Sequence, residues 1–440
     1  MRLSTTKPLR ACISPHSFTI TNPTNKNNNL NLKVDEAPKT SEHLSVDSKL
    51  NGSSSYWLEH QTNYPTKLNK RWKDYQGFKN WEGLLDPLDD NLRSEIIRYG
   101  HFVESAYRSC DFDPSSSSYA TCRYPKRKLL DESGLPQTGY QVTKNLIATS
   151  GIKLPGWVEQ IPPWIAVRSS WIGYVAVCQD MKEISRLGRR DVVIAFRGTT
   201  TGLEWLENLR ATLTPLPDFG SEPGTDSEPD SEPMVESGFL SLYTSSLKNR
   251  PSLQTLVRQE ISRILEKYGD EPLSFTITGH SLGAALATLA AYDIKKSFGK
   301  SPMVTVISFA GPRVGNRSFR GSLEKQGTKI LRIVNSDDLI TKVPGFVEDD
   351  ESDGFEKKIS GGDAAAGLGG WVQKLVENTQ WVYADVGCEL RLSSRDSPYL
   401  DRINIATCHD LKTYLHLVDG FVSSNCPFRA TARKMMNKIH

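Results

Sequence analysis

The sequence predicts an α/β domain with a mostly parallel central sheet flanked by helices, and three observations predict it. Apolar runs of strand length alternate with stretches of helical period through the second half of the chain. One run, Asp191–Phe196 (DVVIAF), is continuous enough for a strand buried on both faces. A serine bracketed by glycines also stands where a strand-like run passes into a helix-like one, the order that builds parallel sheets covered on both sides. With 440 residues, 38% hydrophobic and 24% charged, the chain can bury a sizeable core. No apolar run approaches the roughly 18 to 20 residues that cross a bilayer, so any membrane contact is expected to be peripheral.

The first segment, 1–50, runs through Ser4, Thr5, Thr6, Ser14, Ser17, Thr19, Thr21 and Thr24. It carries Arg2, Lys7, Arg10, Lys26 and Lys33 before its first acid, and it lacks the apolar centre of a secretory signal. This is the composition of an organelle transit peptide, and the excess of Ser and Thr over Arg points to a plastid; the bland reading is a disordered tail. The same basic residues account for the excess of 54 basic over 51 acidic side chains, so the charge gives no reason to expect nucleic acid. Residues 51–70 read as a polar linker, and order is expected from Arg71–Trp72 through a domain spanning 71–430. The seven cysteines are scattered without metal-site or disulfide-scaffold spacing, and are expected to be reduced and mostly buried.

Within the domain, Leu92, Ile96, Ile97, Phe102, Val103 and Ala106 recur at helical spacing after Asp89 and Asp90, either of which could cap the helix. Strands are expected at Ile172–Cys178 and Asp191–Phe196. A helix-like segment through Trp205, Leu206 and Leu209 then ends at Pro215 and Pro217. Residues 218–233 (DFGSEPGTDSEPDSEP) have too little apolar content to pack and predict an acidic surface loop. Leu253, Leu256, Val257, Ile261, Ile264 and Leu265 form one stripe of a covering helix that stops at Gly269. Then come a strand (Leu273–Thr278), a helix (Ser281–Ile294), a strand (Val304–Phe309), a Gly-rich turn with room for a short helix, and a strand (Lys329–Val334). Residues 348–370 read as an irregular insertion.

Gly279-His280-Ser281-Leu282-Gly283 is a G-x-S-x-G sequence, a weak signal by composition alone. Its context raises it, because a strand runs into it and an Ala-rich helix runs out, as a nucleophile elbow requires. A serine at so sharp a turn needs Gly279 and Gly283 to lack a Cβ where sheet and helix close in. The hydroxyl needs a base, and the base a carboxylate, and on such elbows these follow in the order Ser, Asp, His. After Ser281 only His409, His416 and the terminal His440 remain, so the base is His409 or His416. Asp337 and Asp338 both follow the strand Lys329–Val334 at the carboxyl edge of the sheet, where the elbow opens. The amide of Leu282, next to the nucleophile, is one donor to the oxyanion.

These residues also carry a family resemblance. Phe196-Arg197-Gly198-Thr199, Glu204-Trp205, Gly238-Phe239, the elbow, Gly311-Pro312-Arg313-Val314-Gly315-Asn316 and Asp338-Leu339-Ile340 resemble the class 3 lipases, in that family's order and over about residues 170–420. The block Trp72–Tyr107, with its Asn80–Leu88 and Ile97–Gly100 segments, resembles the plant phospholipase A1 branch. The leader and Trp171–Val177 resemble its plastid group. The resemblance implies an α/β-hydrolase fold with a lid, Ser281 as nucleophile, Asp338 as orienting carboxylate and His409 as base, with His416 the alternative. It implies Thr199 as second oxyanion donor and Leu203–Leu213, with Leu203, Trp205, Leu206 and Leu209, as the lid. Trp205 equally suits a core-facing position.

The activity implied is that of a serine carboxylic-ester hydrolase on glycerolipids at a membrane surface. It would release the sn-1 fatty acid of phospholipids, and of galactolipids as a second substrate, in the plastid. The resemblance further implies supply of linolenic acid for jasmonate synthesis. No metal or organic cofactor is expected, since a triad supplies nucleophile, base and oxyanion stabilisation itself. Two rivals are a catalytically silent lipase-like signalling scaffold and a soluble esterase without interfacial activity.

Overall fold

The structure is a computed structural model that describes residues 68, 70–150, 169–199, 212–217, 232–299, 302–344, 383–397, 400 and 404–424. All of them lie within the unit 63–440. The leader, the lid residues Leu203, Trp205, Leu206 and Leu209, and the insertion 348–370 fall outside the described residues. So does all of the linker except Leu68 and Lys70, and all of the acidic loop except Glu232 and Pro233.

In chain order the principal elements are α1 (Asp90–Ser109), β1 (Tyr140–Thr149), β2 (Ser169–Cys178), β3 (Arg190–Phe196), β4 (Leu213–Pro215), β5 (Met234–Glu236) and α2 (Ser237–Thr244). There follow α3 (Leu253–Tyr268), β6 (Leu273–His280), α4 (Leu282–Ser297), β7 (Met303–Phe309), β8 (Gly315–Asn316), α5 (Arg317–Lys325) and β9 (Lys329–Asn335). β10 (Tyr383–Ala384), β11 (Cys388–Leu392), α6 (Ile405–His409) and α7 (Leu411–Gly420) complete them. Seven strands make the main sheet in the order β1-β2-β3-β6-β7-β9-β11. The pairs from β3 through β11 are parallel and the two at the β1 edge antiparallel.

The mostly parallel sheet expected from the strand–helix alternation is therefore present, and Arg190–Phe196 is buried at every residue. Asp89, rather than Asp90, caps α1, its carboxylate accepting from the Asn91 and Leu92 amides. One face of the sheet packs against α2, α3 and α4 through Val192, Ile194, Phe275 and Ile277. The other packs against α1 and α7 through Val193, Ala195, Ile307 and Ile333. This is a helix–sheet–helix sandwich with a core on each side. Adjacent buried residues of one strand serve opposite cores, which is why the strand reads as a continuous apolar run.

Leu213, the last residue of the expected lid helix, instead begins a strand. β4 pairs with β5 at the end of a four-stranded antiparallel sheet ordered β10-β8-β5-β4. An edge position explains why Pro215, which has no amide to donate, is tolerated in it. Among the described cysteines Cys110, Cys178 and Cys408 are buried, Cys122 and Cys388 half-buried, and all are free thiols.

Candidate active site

Register brings the chemistry to one edge. Phe196 lies opposite Gly279, His280 opposite Phe309, and Asn335 opposite Leu392, so the carboxyl ends of β3, β6, β7, β9 and β11 open side by side. Ser281 stands between β6 and α4 with φ 57° and ψ −124°, a conformation that strains a residue bearing a Cβ. The strain is held by close packing on both sides. A Cβ at Gly279 would lie 2.2 Å from the Gly283 carbonyl oxygen, and one at Gly283 would lie 2.5 Å from that of Phe196. The glycines two before and two after the serine are thus needed because backbone occupies the space.

The Ser281 hydroxyl lies 2.8 Å from His409 Nε2, and His409 Nδ1 lies 2.8 Å from Asp338 Oδ2. All three side chains are buried. A buried carboxylate takes the Nδ1 proton, which leaves Nε2 as the acceptor facing the serine. The structure brings these three residues together and leaves the alternatives elsewhere. His416 Nε2 is 2.8 Å from Ser397 Oγ. Asp337 accepts from Ser393 Oγ at 2.8 Å and pairs with Arg395 at 2.9 Å.

Further contacts hold this arrangement. Asp338 Oδ1 accepts from the Ile340 amide at 2.9 Å, and Tyr414 Oη donates to Oδ2 at 2.7 Å while accepting from the Asn335 amide at 3.1 Å. Burial and the adjacent Asp338 carboxylate push the Tyr414 phenol well above its usual range, so it remains a donor. Asn335 Nδ2 donates to the Cys408 carbonyl at 2.9 Å and ties the end of β9 to the residue before His409. Tyr414 follows His409 by five positions, on α7, but periodicity assigns it no partner; Asn335 gave no signal at all.

Two amides are candidates for an oxyanion. The Ser281 amide is already spent on the Phe309 carbonyl at 3.0 Å. Leu282 opens α4, where the first amides have no intrahelical acceptor. On the facing turn, Thr199 Oγ1 is buried and has no partner among the described residues. Gly198 is close enough that a Cβ there would lie 3.1 Å from Ser281 Cβ. Among the described residues no group of three or more His, Cys, Asp or Glu could hold a metal ion.

A sheet whose parallel strands end in a serine elbow, with an acid and a histidine on later loops, defines an α/β hydrolase. The sequence profile of the lipase (class 3) family matches residues 193–348. The chain is 67% identical over 375 residues to phospholipase A(1) DAD1, chloroplastic, of Arabidopsis thaliana, covering 85% of this chain and 82% of that one. It is 38% identical over 399 residues to phospholipase A1-Igamma2, chloroplastic, of Arabidopsis thaliana, covering 84% and 70%. It is 41% identical over 366 residues to galactolipase DONGLE, chloroplastic, of the same plant, covering 80% and 70%. The chain belongs to the class 3 lipase family.

Proposed function

We propose that the protein is a plastid phospholipase A1 that releases the sn-1 fatty acid of phospholipids and, as a second substrate, of galactolipids. The observation that carries the reading is the buried chain Ser281–His409–Asp338, in a protein 67% identical to a chloroplastic phospholipase A1. Ser281 Oγ adds to the ester carbonyl as its proton passes to His409 Nε2. Asp338 keeps the imidazole in the right tautomer and stabilises the imidazolium. The oxyanion is held by the Leu282 amide and, on the facing turn, by Thr199. The imidazolium then protonates the departing glycerol oxygen, and water activated by His409 releases the fatty acid and restores Ser281 Oγ–H.

The three relatives named above are chloroplastic, and the hydroxyl-rich leader, acid-free through residue 34, supports a plastid address for this chain. No helix among the described residues is long and apolar enough to cross a membrane. Access to glycerolipid is assigned to peripheral contact at a membrane surface, with the segment ahead of β4, through Leu203, Trp205, Leu206 and Leu209, as the lid. From the family resemblance, the acid released feeds jasmonate synthesis.

The test uses phosphatidylcholine and monogalactosyldiacylglycerol labelled differently at sn-1 and sn-2, with wild type beside Ser281→Ala, His409→Ala and His416→Ala. Release of the sn-1 label is expected from wild type and His416→Ala and not from the other two. Wild type and Ser281→Ala equally inert on every aggregated and soluble ester would leave the signalling scaffold as the account. Activity on monomeric esters alone would leave the soluble esterase.

A further inference from the structure

His280, between Gly279 and the nucleophile, is buried and has no part in the triad, yet both of its ring nitrogens are engaged. Nε2 lies 2.7 Å from the His409 carbonyl oxygen, and Nδ1 lies 2.7 Å from the Tyr107 hydroxyl. A carbonyl only accepts, so Nε2 carries the proton and Nδ1 accepts from the phenol. The bonds therefore run one way, from Tyr107 to His280 to the backbone of the base. Burial and the neighbouring His409 hold the His280 imidazole well below its usual range, so the ring stays neutral with a single N–H.

The chain continues past Tyr107. Its phenol oxygen packs directly against Gly198, where a Cβ would stand 2.4 Å from that oxygen. The Gly198 carbonyl is gripped from the other side by Arg197 Nη1 at 2.7 Å. Arg197 is itself anchored on the Trp171 carbonyl at 2.9 Å and on Ser170 Oγ at 2.6 Å. The Gly198 carbonyl and the Thr199 amide share one planar peptide, so fixing the first fixes the direction of the second. Tyr107 thus joins the turn beside the nucleophile to the residue that activates it.

We propose that Tyr107 and His280 are positioning residues that hold the 197–199 turn and the His409 backbone in register with Ser281. The inference rests on the hydrolase reading above and adds to it. Tyr107 lies on α1, well before the matched family segment 193–348, so the N-terminal helix is part of the catalytic unit and not merely a cover for the sheet.

The test measures kcat and KM on a p-nitrophenyl acyl ester, per active site titrated with an organophosphonate. A second readout is the affinity for an alkyl boronic acid, which serine binds as a tetrahedral anion. Tyr107→Phe removes the hydroxyl, which leaves His280 Nδ1 without its partner and the Gly198 turn without the oxygen packed against it. Displacing one oxyanion donor by about 1 Å costs on the order of 10- to 100-fold. The expected result is that loss in kcat, an equal loss in boronate affinity, and KM within about twofold of wild type. A residue that only stabilised the fold would lower the number of titratable sites and leave both values per site unchanged, and that result overturns the proposal. His280→Phe, which keeps a ring but removes both the acceptor for Tyr107 and the donor to the His409 carbonyl, tests the same link if Tyr107→Phe does not fold. Where both fold, the double variant should lose no more than the worse single one, because one chain is broken once; additive losses overturn the coupling. Activity retained by Ser281→Ala would instead refute the assignment of Ser281 as nucleophile, on which the reading above rests, whatever Tyr107→Phe does.

Discussion

Asp338→Asn changes one atom of the site and should abolish most of its chemistry. Asp338 Oδ1 accepts from the Ile340 amide while Oδ2 accepts from both His409 Nδ1 and Tyr414 Oη. An asparagine offers one acceptor oxygen and one donor group. If its oxygen stays on Ile340, its NH2 faces His409, the imidazole proton must move to Nε2, and Ser281 loses its acceptor. If the amide flips, the NH2 meets the Ile340 N–H donor to donor. In the active orientation the imidazolium also loses an anion about 4 Å away, roughly 4 kcal/mol at an effective dielectric of 20. The lost charge-assisted hydrogen bond to the base adds about 1.5–3 kcal/mol. At about 1.4 kcal/mol per tenfold in rate, kcat should fall about 10⁴- to 10⁵-fold. The same exchange in a serine protease triad costs about 10⁴. The assay is initial rates on phosphatidylcholine in mixed micelles, normalised to titrated sites, with Asp337→Asn beside it. Asp337→Asn should stay within about twofold, because its carboxylate serves Ser393 and Arg395. More than a tenth of wild-type kcat in Asp338→Asn, or an equal loss in Asp337→Asn, would refute the reasoning.

Gly279→Ala places a methyl 2.2 Å from the Gly283 carbonyl oxygen, where only backbone could yield; a loss of about 3 kcal/mol or more in urea unfolding is expected, and wild-type stability would contradict it. Asp191→Ala leaves the buried guanidinium groups of Arg98 and Arg189 to share one carboxylate, Glu95, and should cost about 3–5 kcal/mol, with kcat per titrated site unchanged. Burial alone would raise Asp191, but Arg189 and Arg98 hold it below its ordinary value. Its contribution is therefore present above the usual carboxylate range and lost as pH falls through the lowered value, and the variant's deficit in Tm should shrink on acidification. Glu236 runs the other way. Burial raises it despite the Gly238 and Phe239 amides, so stability is lost as pH rises through the raised value; Glu236→Gln should raise Tm near pH 8 and give no difference at strongly acid pH.

What the sequence disclosed is what local pattern encodes. A continuous apolar run marked β3, a run alternating Leu, Phe and Ile with hydroxyl residues marked β6, and the five-residue elbow carried its own steric reason in two glycines. The order of acid and base after Ser281 reduced eight histidines to two practical candidates. Two adjacent carboxylates after β9 look alike in one dimension. They differ only in what each meets, Asp338 facing His409 and Tyr414 and Asp337 facing Arg395. β1 escaped notice because an edge strand needs few apolar residues, and only Val142, Leu146, Ala148 and Thr149 are buried in it. The four-stranded sheet is built of two- and three-residue strands that make no periodic signal. The contact between Tyr107 and His280 spans 173 positions, and no window along the chain relates the two.

The most direct measurement is covalent trapping of the nucleophile with a fluorophosphonate bearing a fatty acyl-length chain, followed by peptide mapping and by labelling rates for the histidine variants. The account predicts one adduct, on Ser281, formed at the wild-type rate in His416→Ala and at least about 10³-fold more slowly in His409→Ala. An adduct on another serine, or His409→Ala labelled as fast as wild type, would contradict it.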